Sequence, residues 1–233
     1  MDESHKIRRR SFVQGLGLLA GLSALSAGSA TARPPDVDPL RPFQLPSPRL
    51  EPFRETLPVL PGISGGNLEL RAASSMHRFH PDLPSSPSLG YGGMDYLGPP
   101  TIEAHVDQLV TVRYANDISA YPLAADVDPG LHGVSNLDRT QVPPTSLHLH
   151  GGGVTAPQFD GHPELIQRPG EGLVHEYRNG RAAGNLWYHD HAMGMTRLNV
   201  YAGLVGMYFL RDDADTGTTG NSLGLRPANS SFR

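Results

Sequence analysis

Between residues 67 and 210, apolar and polar residues alternate in short runs instead of recurring at helical spacing. From Asn67 to His80, Leu68 and Leu70 alternate with polar neighbours, as in a half-buried strand. Thr101 to Asn116 carries the clearest pattern. Ile102, Ala104 and Val106 share one face, Asp107-Gln108 interrupts, and Val110, Val112 and Tyr114 resume the alternation, which predicts two strands around a break. Thr145 to Gly151, Gly172 to Arg178 and Asn185 to His191 predict further strands, with a turn signal at Asn179-Gly180. Ala192 to Tyr201 predicts a short helix. Gly203 to Leu210 is apolar on both faces and predicts a central strand covered on both sides. Pro81 to Pro100 reads as loop. Asp117 to Pro144, which contains His132, reads as a long loop of the kind that serves a function or lies against the rest of the protein. About seven short strands with turn signals between them predict an all-β Greek-key β-sandwich.

Composition supports this and adds boundaries. The 233 residues leave room for one sizeable domain, and 27 glycines with 22 prolines favour short strands over a helical bundle. Residues 1–32 read as a signal peptide: Lys6 and Arg8-Arg9-Arg10, an apolar stretch from Phe12 to Leu25, and Ala30-Thr31-Ala32 as cleavage site. Arg9-Arg10-Ser11-Phe12-Val13 fits a twin-arginine export signal, with an ordinary secretory signal or a retained anchor as the alternatives, so the expected location is periplasmic or extracellular. Residues 33–64 form a proline-rich extended arm or linker, 65–212 the domain, and 213–233 a polar tail. Without residues 1–32 the net charge is about −6, and no other stretch is apolar enough to span a bilayer. Neither nucleic acid nor a membrane is an expected partner.

Four histidines carry the chemistry. His148 and His150 stand at i and i+2 in one predicted strand, and His189 and His191 in another. In a strand that spacing puts both side chains on one face, with Cα atoms about 6–7 Å apart. Adjacent strands would turn four imidazoles into one pocket. Neutral imidazole suits zinc, copper, iron and nickel, and four of them without a thiolate favour copper, although zinc could close a tetrahedral site. Asp190, between two of the histidines and facing the other way, fits a supporting role. Met193 and Met195 fit core packing, and Trp187 and Tyr188 fit packing beside the site. Gly151-Gly152-Gly153 lacks the Lys-Ser/Thr of a phosphate loop.

Ser146-Leu147-His148-Leu149-His150-Gly151-Gly152, Leu186-Trp187-Tyr188-His189-Asp190-His191-Ala192-Met193, Thr196 to Leu204 and Gly98-Pro99-Pro100-Thr101-Ile102-Glu103 resemble the first cupredoxin domain of multicopper oxidases. The branch is that of spore-coat laccase, bilirubin oxidase and phenoxazinone synthase. The resemblance implies that the four histidines supply half of a trinuclear copper cluster that reduces O2 to water. His148 would serve the type 2 copper, and His150, His189 and His191 the type 3 pair. Asp160 matches a carboxylate that delivers protons near the cluster.

A complete member of the family draws its other ligands, including the cysteine of the type 1 copper, from a C-terminal cupredoxin domain. These 233 residues contain no cysteine, so that site cannot form in this polypeptide. The expectation is a truncated, frameshifted or split gene product, inactive alone, whose partner is the missing C-terminal domain, supplied in trans or in a longer gene product. Its substrate is open. The competing expectation is a non-catalytic exported copper-binding module or an inactive remnant.

Overall fold

The computed structural model describes residues 48–92, 99–134, 137, 142–153 and 160–224. The segment read as a signal peptide, residues 33–47 of the proline-rich arm and the end of the tail lie outside the described residues. Among the described residues nine strands form two sheets. The larger contains β1 (Gly62–Ser64), β4 (Thr101–His105), β9 (Val205–Arg211), β8 (Gly184–Asp190) and β6 (Leu147–His150), in that order. The smaller runs β3 (Ser86–Tyr91), β2 (Asn67–His77), β5 (Val110–Asp117) and β7 (Gly172–Tyr177). Among the described residues, one α-helix, α1 (Thr196–Ala202), precedes β9. This is the all-β sandwich that the alternation implied.

The inward faces follow directly from the sequence pattern. Leu68, Leu70 and Ala72 of β2, Val110, Val112 and Tyr114 of β5, and Leu147 and Leu149 of β6 are all buried in one cluster. Tyr91, Tyr114, Tyr188 and Tyr208 are the largest fully buried side chains and fill the space between the sheets. Gly206 is directly opposite Tyr188 in register, and a Cβ there would stand 2.3 Å from the Tyr188 Cζ. Gly206→Ala is therefore expected to displace the ring and lower stability by about 1–3 kcal/mol. A urea midpoint equal to that of the wild type would show that Tyr188 has room to withdraw.

Three sequence expectations change. Pro81 to Pro100 is not all loop, because β3 pairs antiparallel with β2. Only Leu89 and Tyr91 of β3 are buried, and Pro87 is tolerated because β3 is an edge strand. Ile63 and its neighbours, at the end of the proline-rich arm, form the edge strand β1. β9 is central, between β4 and β8, but it is not covered on both sides. Gly206, Tyr208 and Leu210 face inward, whereas Met207 is exposed and Phe209 lies on the outer face beneath the Arg211 guanidinium, 4.9 Å from its ring centroid.

Asn179 turns the chain from one sheet to the other, since β7 pairs with β5 and β8 with β6 and β9. Its side chain donates to the Gln108 carbonyl at 2.8 Å and accepts from the Tyr208 hydroxyl at 3.0 Å, which ties the Asp107-Gln108 break to both sheets. The long loop after β5 packs on α1. Val127 and Val134 join Ala192, Met195 and Leu198 in a second apolar cluster, so Met195 is a core residue.

Candidate metal centre

β6 and β8 are adjacent and antiparallel, with His148 directly opposite His189 and His150 opposite Trp187. Leu147, Leu149, Tyr188 and Asp190 alternate with them and are buried, so the histidines stand on the outer face of the larger sheet, at its edge. One ligand atom each from His148, His150 and His189 lies within 4.8 Å of the others. His191, just past β8, adjoins them, its ring centroid 4.7 Å from His148 and 5.7 Å from His189. Its amide donates to the Ser146 carbonyl at 2.7 Å, which extends the β6–β8 pairing to the fourth histidine.

Backbone carbonyls fix two of the rings. The Nδ1 of His189 is 2.7 Å from the Asp190 carbonyl, and that of His148 is 2.9 Å from the Asp160 carbonyl. A carbonyl can only accept, so each Nδ1 carries the proton and each Nε2 turns a lone pair to the pocket. The Nδ1 of His150 approaches the Nε2 of His189 at 3.3 Å. Burial, and then the neighbouring imidazoles, bring the pKa of His189 down to about 4 despite its carbonyl bond. Burial and the facing imidazoles lower His191 as well. Burial pulls His148 down too, but the adjacent Asp160 carboxylate and the hydrogen bond that His148 donates to the Asp160 carbonyl outweigh it and leave His148 above its ordinary value. Neutral imidazoles with converging lone pairs are the donor set that copper and zinc take, and these residues fit a metal.

Asp160 is buried behind His148. Its Oδ1 accepts the Leu149 amide at 2.6 Å, while Oδ2 lies 3.2 Å from the His148 Nδ1 with no hydrogen-bond partner among the described residues. The carboxylate is thus next to the candidate ligands. Asp190 is fully buried. Its Oδ1 accepts from the Ser146 amide at 2.8 Å, and its Oδ2 from the Asn199 side chain at 2.9 Å and the Ala192 amide at 3.2 Å. Burial outweighs those three donors and pushes its pKa up to about 6. The supporting role expected of Asp190 has a concrete form: it ties β6, α1 and the turn after His191 together.

Sequence reasoning missed Asn199 as the link to Asp190, and Tyr121, whose hydroxyl donates to Asn199 at 2.8 Å. Nothing in spacing marks a polar residue inside a short helix as buried. The histidines outside the two i, i+2 motifs do not join this group. His175 is in the core between Tyr114 and Tyr177, and the Nδ1 of His162 faces the Glu164 amide.

A β-sandwich with imidazoles gathered on an edge strand and its neighbour defines a metal-binding domain of the kind found in copper oxidases. Residues 134–215 match the family described as Multicopper oxidase. The chain is 36% identical over 170 residues to a laccase of Bacillus subtilis, a match that spans 69% of this chain and 32% of the laccase. It is 35% identical over 139 residues to bilirubin oxidase of Albifimbria verrucaria, spanning 60% of this chain and 20% of that enzyme. A crystal structure of a multi-copper oxidase from Pediococcus acidilactici shares the fold, with a TM-score of 0.56 and 20% identity over 82% of this chain and 34% of that one. The family match over residues 134–215 and these relatives support membership of the multicopper oxidase family, whose name implies copper. The chain spans about a third of the length of the laccase it matches.

Proposed function

We propose that this chain supplies one half of a copper centre at which O2 is reduced to water in a laccase-like oxidase. The observation that carries the reading is the convergence of His148, His150 and His189 nitrogens within 4.8 Å on two neighbouring strands. His148 is assigned to a type 2 copper, and His150, His189 and His191 to a type 3 pair. Bound copper would supply the electron transfer to O2. Asp160 would hold and pass protons, since its Oδ2 is next to the one imidazole whose proton affinity is raised.

The remaining ligands would come from a partner cupredoxin domain, in trans or in a longer gene product, because these 233 residues hold no thiolate. The outer face supports that arrangement: His150 and Met207 are exposed beside Trp187, a partly apolar surface next to the candidate ligands. Among the described residues no helix is long and apolar enough to cross a membrane, and the twin-arginine motif supports export.

The reading is tested by metal analysis and electron paramagnetic resonance of the purified chain after reconstitution with copper, and separately with zinc. About one to two coppers per chain are expected, for four imidazoles can serve no more without help. His148→Ala with His150→Ala should abolish that uptake while leaving the sandwich folded, as both side chains point away from the core. Copper retained in the double variant would overturn the assignment. The second reading, a non-catalytic copper-binding module, is favoured if the chain holds copper tightly and never gains oxidase activity with a partner domain.

A further inference from the structure

Three histidines form the tight group, but only two are oriented by the backbone. His148 and His189 each give their Nδ1 proton to a carbonyl, at 2.9 and 2.7 Å. His150 is exposed, and among the described residues its only hydrogen bond is to the nitrogen of His189 that would face the metal. A metal between His150 and His189 would replace that bond. Something else must keep the ring from turning to solvent.

We propose that Trp187 is the positioning residue for His150. It is two residues before His189 on the same face of β8 and directly across from His150 in register. Its indole stacks on both imidazoles, 5.0 Å and 25° from His150 and 4.1 Å and 24° from His189. The two histidine rings are 5.5 Å apart and tilted by 38°, so the one flat surface aligns both. A ligating imidazole loses electron density to the metal, and an electron-rich indole face attracts an electron-poor ring. The stack therefore strengthens as metal binds, which makes Trp187 a selector of the binding geometry as well as a wall. The inference rests on the reading of the cluster as a metal centre.

Trp187 is the only tryptophan of the chain, so its emission reports on this site alone. Copper should quench it in proportion to uptake in the wild type. Copper affinity is then measured by chelator competition in wild type, Trp187→Leu, Trp187→Phe, His150→Ala and the Trp187→Leu/His150→Ala double variant. We expect Trp187→Leu to weaken binding about 10-fold or more, in the range for residues that orient metal ligands. Trp187→Phe, which keeps a flat face, should recover most of the loss. The double variant should bind no more weakly than His150→Ala, since His189 keeps its bond to the Asp190 carbonyl and only His150 depends on Trp187 for its orientation.

Wild-type affinity in Trp187→Leu, or the same further loss when Trp187→Leu is added to His150→Ala, overturns the proposal. A wild-type chain that takes no copper overturns the metal-centre reading and the proposal with it, and unquenched emission marks that case. Should Trp187→Leu not fold, the metal-free wild type carries the test. Ring protons of His150, identified by their absence in His150→Ala, should be displaced by the indole ring current, and random-coil positions would overturn the stack.

Discussion

Asp190→Ala is expected to destabilise the domain by about 3 kcal/mol or more, because three donors lose their acceptor in a site without water access. The Ser146 and Ala192 amides and the Asn199 side chain all point at this carboxylate, which is fully buried. Each unsatisfied donor costs about 1–3 kcal/mol, so even incomplete relaxation leaves a large deficit. Asp190→Asn is informative beside it. An amide can still accept from Ser146 but turns its NH2 toward Asn199 and Ala192, donor against donor. It should fall between wild type and alanine if one acceptor suffices, and the comparison is read from urea midpoints of the metal-free chain. Wild-type stability in Asp190→Ala would mean that the three donors find other partners and that the network does not hold the strand.

Gly161→Ala is expected to cost about 2–4 kcal/mol, from a left-handed backbone position and a clash with backbone atoms that cannot rotate away. Gly161 has φ 62°, and a Cβ there would stand 1.9 Å from the Leu147 carbonyl oxygen and 3.0 Å from the His148 amide nitrogen. Relief requires the 160–161 turn to leave β6. That motion takes the Asp160 carbonyl away from the His148 Nδ1 and its Oδ1 away from the Leu149 amide. The variant should therefore lose copper affinity as well, about 10-fold or more. Thermal unfolding and copper competition measured together check this. A variant with a lowered midpoint but wild-type copper affinity would show that Asp160 does not orient His148.

The sandwich was legible wherever one strand face was apolar and the other polar, as in Val110, Val112 and Tyr114. It was not legible in β3, where Ser86, Pro87, Ser88 and Gly90 have the composition of a loop and only pairing with β2 makes a strand of them. The misreading of β9 has a different cause. Apolar residues on its outer face suggested cover on both sides, but Met207 pairs across from Trp187 on the partly exposed face that carries the histidines. The i, i+2 spacing put His148 and His150 on one face of β6 and strand pairing brought His189 to them, while His191, just past β8, adjoins the three. What spacing could not give is orientation: which nitrogen of each ring carries the proton depends on the carbonyls of Asp160 and Asp190, and a backbone oxygen leaves no mark in a sequence.

The strand order has a kinetic consequence. β1 pairs with β4, β2 with β5 and β4 with β9 in parallel, and no tight turn can make such a pair. His150 and His189 lie 39 positions apart in the chain. Loop closure must come before these contacts contribute, which puts such topologies in the slow-folding range, milliseconds to seconds. An unfolded chain offers a metal only neighbouring imidazoles with no fixed register between the two pairs. The pocket is thus a late product of folding, and a cation captured too early can bridge histidines before β6 has found β8.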